Sequence, residues 1–188
     1  MSIQHYLPFI AIAVLLSGCT PQPTQKQTPP DDATNGPWMN QAQNSNLPTA
    51  KCVGVVDGDT VDILTDDKKQ IRLRLAAIDT PERDQPFGNT AKKYLSGLIF
   101  GKGIQYEVTE TDKYGRSVAF IFIDSKDVNA AMVEAGLAWH YLKYSDDENL
   151  SRLESVARTE KRGLWADARH LAPWDWRKLS KEERDKLR

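Results

Sequence analysis

The sequence predicts an α+β fold dominated by a closed barrel of five short β-strands, with about three helices packed beneath it. Three observations point there. Strand-like residues crowd the first half of a globular stretch beginning near Lys51, helical periodicity dominates the second half, and one helical segment falls between the third and fourth strands. At 188 residues and 40% hydrophobic content, the chain supports one domain with its own core plus attachments, and not two full domains.

Lys51 to Val56 and Thr60 to Thr65 read as strands joined at Asp57-Gly58. A turn at Asp66-Asp67-Lys68-Lys69 leads to a third strand, Gln70 to Ala77. In it Ile71, Leu73 and Leu75 alternate with Arg72 and Arg74, so one face is apolar. Asn89 to Phe100 reads as a short helix with Ala91, Tyr94, Leu95 and Leu98 on one stripe. Two further strands, Ile104 to Thr109 and Arg116 to Asp124, flank the loop ETDKYG, Glu110 to Gly115. After Asp127 a helix turns Val128, Ala131 and Met132 inward. The last helix is expected to begin at Ser145, which stands at capping-box spacing from Glu148, and to stop at Gly163 behind Arg158, Lys161 and Arg162. No internal repeat is present, and the order of elements suits a barrel of the OB type.

The segments around this domain have other compositions. Residues 1–18 contain the apolar run LPFIAIAVLL, too short to span a bilayer and suited to the core of a signal peptide. The following Leu16-Ser17-Gly18-Cys19 resembles the lipobox of bacterial lipoproteins, which implies acylation of Cys19 and an exported chain anchored to the cell envelope. On that reading Cys52 has no disulfide partner and serves as a small buried hydrophobe. The n-region MSIQHY departs from the usual pattern in having no Lys or Arg. Residues 19–50 are rich in Pro, Gln, Thr and Asn and cannot bury enough apolar surface to offset the entropy of ordering. They read as a tether with a span of about 30 Å. The domain occupies residues 51–166, and a tail, residues 167–188, carries Trp174 and Trp176, which with Trp165 are expected to pack against the barrel or the last helix.

A formal net charge of -1 offers no global attraction for a polyanion, so any nucleic-acid binding must come from a local cluster of Lys and Arg. Four motifs then carry a specific resemblance: DGDT (Asp57 to Thr60), RLAAIDTPE (Arg74 to Glu82), TDKYGR (Thr111 to Arg116) and VNAAMVEAGLA (Val128 to Ala138). In this order and spacing the chain resembles the staphylococcal nuclease, or thermonuclease, family from about Lys51 to Trp165. The resemblance implies an OB barrel and calcium-dependent hydrolysis of phosphodiester bonds in DNA and RNA.

The residue types are consistent with that chemistry. Calcium takes oxygen ligands and keeps waters where the protein supplies few. Beyond His5 in the signal segment, the chain offers only His140, His170 and Cys52 as soft ligands, which argues against zinc. By the resemblance, Asp59 and Asp79 would bind calcium through carboxylates and Thr80 through its carbonyl. Glu82 would activate or position the attacking water, and Arg74 and Arg116 would grip phosphoryl oxygens with paired hydrogen bonds, Arg116 near the leaving oxygen. Lys113 and Tyr114 would contact the terminal phosphate and the nucleotide. Asp57 would be at most an outer partner of the ion, while Arg72 and Asp62 read as exposed strand residues without a chemical role.

Two features differ from the family pattern. Leu142 stands where the family has a second substrate-contacting tyrosine, with Tyr141 and Tyr144 as neighbours, and the loop between Glu82 and the first helix is short. The alternative to an enzyme is a non-catalytic nucleic-acid-binding OB module on an envelope lipoprotein. Replacement of Asp59, Asp79, Glu82 or either arginine would favour it, and all five are present. No protein partner is expected, and the chain is expected to be a monomer.

Overall fold

The computed structural model describes residues 46–188; Cys19, the signal segment and residues 19–45 of the tether lie outside the described residues. Strands β1 (Thr49–Val55), β2 (Thr60–Thr65) and β3 (Gln70–Leu75) form an antiparallel meander, with Cys52 opposite Ile63 and Asp62 opposite Arg72. A two-residue strand, β4 (Ile78–Asp79), and helix α1 (Gly88–Ile99) follow. Strands β5 (Gly103–Thr111) and β6 (Ser117–Ile123) pair antiparallel, and β5 also pairs with the start of β1. Parallel pairing of β3 with β6, Leu73 opposite Ser117 and Leu75 opposite Ala119, closes the five strands into a barrel.

Alternation along the strands fills this barrel. Cys52, Val61, Ile63, Leu73, Leu75, Ala119 and Ile121 have no exposed surface and meet Ala91, Leu95 and Ile99 of α1 in one core. Each fully buried aliphatic side chain contributes roughly 1.5–3 kcal/mol, so the packing of α1 across the barrel end is a main source of stability. Beyond the barrel come β7 (Lys126–Asp127), α2 (Val128–Glu134), β8 (Trp139–His140) and α3 (Glu148–Thr159). Buried Asn129 of α2 clasps the closure: its Nδ2 donates to the Ala76 and Ala119 carbonyls at 2.9 and 3.2 Å, and its Oδ1 accepts from Ile121 N at 3.2 Å. Two more helices, α4 (Pro173–Trp176) and α5 (Lys181–Leu187), lie in the tail. Among the described residues no helix is long and apolar enough to cross a membrane.

Several local expectations are corrected. The third strand ends at Leu75, because Ala77 takes a left-handed φ of 61° and turns the chain into β4, which pairs with β8. On α1 Tyr94 is 38% exposed, and Gly88 and Ile99 complete the buried stripe instead. On α2 the inward residues are Val128, Ala130, Met132 and Val133, with Ala131 only half-buried. Asp147, not Ser145, caps α3 by accepting from Asn149 N and Leu150 N at 2.8 and 3.1 Å. The Ser145 hydroxyl bonds buried His140 instead, at 3.0 Å from Nε2. The three expected helices all form, and among the described residues the short α4 and α5 of the tail add to them.

Candidate active site

The bend at Asp57-Gly58-Asp59 is held by its own acids: Asp57 Oδ1 accepts from Asp59 N at 3.2 Å, and Asp59 O accepts from Leu75 N at 2.8 Å. Asp59 is thereby presented beside β3. Gly58 is buried there, and a Cβ on it would lie 2.7 Å from Thr80 Oγ1 and 2.8 Å from Ala91 Cβ. Only a residue without a side chain lets the Thr80 loop approach this closely.

The reversal after β3 brings Asp79 to the same point. Arg74, whose side chain is 16% exposed, donates from Nη1 to the Leu75 and Ile78 carbonyls at 3.0 and 3.1 Å. Its Nη2 reaches Asp79 Oδ1 at 3.0 Å and Asp59 Oδ2 at 3.4 Å, so two carboxylates from separate strand ends converge on one nitrogen. Asp59 Oδ2 also accepts from Thr80 N at 3.3 Å, and Asp59 Oδ1 accepts from the Thr60 hydroxyl at 3.1 Å. Burial and the neighbouring Asp59 charge push the Asp57 carboxyl up to about 6. Burial also pushes Asp79 up, against the pull of Arg177 and Arg74. Burial opposes the Arg74 charge, yet Asp59 and Asp79 hold its pKa above the usual guanidinium value.

Crowded, desolvated carboxylates of this kind favour a cation, and the donor set of Asp59, Asp79 and the Thr80 carbonyl is all oxygen. It fits a hard divalent ion that retains water or substrate oxygens in its remaining positions. Among the described residues no group of three or more His, Cys, Asp or Glu is arranged for a metal. The two-carboxylate set is therefore the strongest candidate.

Every expected site residue within the described residues lines one groove of about 1010 Å³: Asp59, Arg74, Asp79, Thr80, Glu82, Lys113, Tyr114 and Arg116. The loop carrying the last three is organised by Asp112, a residue to which the sequence reading gave no role. Asp112 Oδ1 accepts from Tyr114 N and Arg116 N, both at 2.9 Å, and Oδ2 accepts from Arg116 Nε at 2.7 Å. This leaves the Nη nitrogens of Arg116 for a ligand. Tyr114 is 72% exposed, with the Lys113 and Arg116 cations 5.0 and 5.5 Å from its ring. Tyr141 and Tyr144 also line the groove, whereas Leu142 is 72% exposed and does not. Arg72 is paired in a fork to Asp62 at 2.8 and 3.0 Å, so Asp62 is a half-buried cross-strand partner rather than a bare exposed residue.

The tail adds contacts that sequence reasoning missed. Gln85 Oε1 accepts from Glu82 N at 3.0 Å, and Gln85 Nε2 donates to the Leu171 carbonyl at 2.6 Å. Trp176, 1% exposed, donates from Nε1 to Asp84 Oδ1 at 3.1 Å, and Arg188 pairs with Asp84 at 2.6 Å. The short loop bearing Glu82 is thus braced from the C-terminal side. Trp174 stacks on Tyr141 at 5.0 Å with planes 8° apart, beside β8 rather than on the barrel or α3, whereas Trp165 meets Trp139 at 5.0 Å and also packs against α3 as expected, with Arg158 3.7 Å from its ring. Arg177 enters the groove and donates to Asp79 Oδ2 and Glu82 Oε1, both at 2.6 Å. The only sequence signal for it is an arginine directly after a Trp-rich turn.

Comparison with known proteins yields consistent matches. Residues 72–167 match the family described as Staphylococcal nuclease homologue. The chain is 38% identical over 144 residues to Protein ParB of Escherichia coli, covering 71% of this chain and 81% of that one. It is 40% identical over 128 residues to an uncharacterized endonuclease of Escherichia coli O157:H7, covering 68% and 83%. It is 37% identical over 140 residues to the micrococcal nuclease of Shigella flexneri, covering 69% and 80%.

Proposed function

The chain belongs to the staphylococcal nuclease family, and from that premise we propose that it is an endonuclease that hydrolyses DNA and RNA with little sequence preference and requires calcium. The observation carrying this reading is the meeting of Asp59, Asp79, Glu82 and Arg74 in one groove with Arg116, Lys113 and Tyr114. Asp59, Asp79 and the Thr80 carbonyl would hold the ion, which when bound supplies Lewis-acid polarisation of a phosphoryl oxygen.

The remaining steps belong to side chains of this chain. Glu82 takes a proton from the attacking water or orients it, on a loop that Gln85 keeps rigid. Arg116 offers its two Nη nitrogens to the phosphate and, with Arg74, stabilises charge as the leaving oxygen departs. Lys113 and Tyr114 hold the adjoining nucleotide, and an exposed tyrosine stacks on any base, which accounts for low sequence preference. Arg74, Lys113, Arg116, Lys143 and Arg177 all line the groove, but so do Asp57, Asp59, Asp79, Glu82, Glu110, Asp112 and Asp146, so a polyanion would be held by individual guanidinium and ammonium contacts and by the bound ion rather than by a net positive surface.

The same reading makes the protein an exported enzyme, lipid-anchored through Cys19 to the cell envelope and acting as a monomer. In a Gram-negative cell it would sit on the periplasmic face of the outer membrane. Outside the cytoplasm even weak calcium sites, with Kd of roughly 10⁻⁴–10⁻³ M, are filled.

The test is degradation of single-stranded DNA, duplex DNA and RNA by the full chain with calcium, with magnesium and with EGTA. Cleavage in calcium alone is expected, with losses of roughly 10²-fold or more in Glu82→Gln and Arg116→Ala. Undiminished cleavage in EGTA would sink the calcium requirement.

A further inference from the structure

Arg177 lies ten residues beyond the stretch matched to the family, at the end of α4. Its position is fixed by what precedes it. Pro173 starts α4, buried Trp176 anchors it on Asp84, and Arg184 Nε donates to the Trp176 carbonyl at 3.2 Å. From this base Nη2 bonds Asp79 Oδ2 at 2.6 Å, and Nη1 bonds Glu82 Oε1 at 2.6 Å and reaches Asp79 Oδ1 at 3.4 Å. With Arg74 on Asp79 Oδ1, both oxygens of a predicted metal ligand rest on guanidinium nitrogens.

The two arginines differ in how free they are to leave. Arg74, with a side chain only 16% exposed, is tied to two backbone carbonyls as well as two carboxylates. Arg177 has a side chain 42% exposed, and among the described residues its guanidinium bonds only Asp79 and Glu82. A guanidinium that bridges the ligand and the general base cannot keep both once a divalent ion takes Asp79, and its planar fork suits a phosphate equally well.

We propose that Arg177 is a third arginine of the active site that changes partner: it holds Asp79 and Glu82 while the cation is absent, and grips the substrate phosphate once the cation has taken Asp79. This rests on the calcium-nuclease reading above. Two consequences follow from one exchange. Removing Arg177 eases ion binding, because apparent affinity is reduced by the fraction of molecules whose ligands are already engaged. It also weakens the grip on nucleic acid when the ion is present, since one phosphate contact is lost.

The test compares the full-length wild type with Arg177→Gln and Arg177→Lys by calorimetric titration with calcium chloride, in the absence of nucleic acid. Fluorescence anisotropy then follows a phosphorothioate single-stranded oligonucleotide in saturating calcium. Arg177→Gln is expected to bind calcium on the order of tenfold more tightly and the oligonucleotide roughly tenfold more weakly, with a shallower salt dependence. Arg177→Lys, which keeps the charge and loses the fork, should fall between. Calcium affinity in Arg177→Gln equal to or weaker than wild type, with near-ultraviolet circular dichroism unchanged, overturns the exchange. Tighter calcium binding with unaltered oligonucleotide affinity overturns the phosphate partner. A wild type that binds no calcium refutes the calcium reading itself, a result distinct from either.

Discussion

Gly58→Ala tests whether the site depends on the close approach between the Asp57–Asp59 bend and the Thr80 loop. Gly58 is not among the glycines with positive φ, so alanine has no backbone objection there and the whole effect must be steric. The new Cβ would lie 2.7 Å from Thr80 Oγ1, 2.8 Å from Ala91 Cβ and 2.9 Å from Thr80 Cβ. Ordinary carbon contacts sit at about 3.5–4.0 Å, so roughly 0.7–1 Å of overlap must be relieved. Ala91 is fully buried on α1 against the barrel core and cannot retreat, which leaves the Thr80 loop to yield.

Overpacking of this kind costs about 1–3 kcal/mol. The shift also breaks the Thr80 N to Asp59 Oδ2 bond, already 3.3 Å long, and misplaces the Thr80 carbonyl. A misplacement near 1 Å costs catalysis roughly 10²-fold. Urea denaturation should show a stability loss in the stated range, calorimetry a weaker calcium isotherm, and cleavage assays a loss of about 10²-fold, with far-ultraviolet circular dichroism unchanged. A variant as stable and as tight for calcium as the wild type would refute the steric reasoning.

Three further predictions follow from the same packing. Gly97→Ala, on an exposed face of α1 where a Cβ meets nothing within 4 Å, should raise stability by about 0.5–1 kcal/mol, read from the urea midpoint. Burial pushes the Asp127 carboxyl up to about 6, against the hydrogen bonds it accepts at the start of α2. An acid whose folded pKa is raised favours folding below its unfolded value of 3.8 and loses that contribution as pH rises to about 6. Asp127→Asn, which keeps a capping oxygen, should therefore gain about 3 kcal/mol on the wild type between pH 3.5 and pH 7, and a pH-independent difference would count against it. Asn129→Ala strands the Ile121 N–H and the Ala76 carbonyl in the core, at about 1–3 kcal/mol each, and a loss below 1 kcal/mol by urea denaturation would contradict the clasp.

The barrel was legible because its strands carry their own pattern: Ile71, Leu73 and Leu75 alternate with arginines, and the cross-strand partners follow from that phase. What local pattern could not reveal is where the chain leaves ideal geometry. The left-handed Ala77 turns Asp79 off β3, and nothing in the residue type announces it. Ser145 is not the cap because the helix starts two residues later: its hydroxyl accepts from Asp147 N and bonds His140, while Asp147 takes the first free N–H groups of α3, those of Asn149 and Leu150. The expected site residues were found through motifs, and the structure brings them into one groove. Arg177 and Asp84 escaped notice because they come together with their partners only through tertiary packing, across 95 and 92 residues for Arg177 with Glu82 and Trp176 with Asp84.

The clasp at Asn129 also bears on how the barrel assembles in time. The hairpins β1 to β2, β2 to β3 and β5 to β6 join neighbours in sequence, but the parallel seam between β3 and β6 links Leu73 to Ser117. Long-range pairings of this kind are slow to form, since chain entropy is lost before contacts compensate for it. Asn129 bonds across the seam only when β3, β6 and the start of α2 are all in place. It therefore acts as a latch fastened after the rate-limiting crossing, so that its loss would appear as faster unfolding with the folding rate nearly unchanged. In the location proposed above, the rate of seam opening rather than the equilibrium constant would set its lifetime among proteases that cleave faster than the seam recloses.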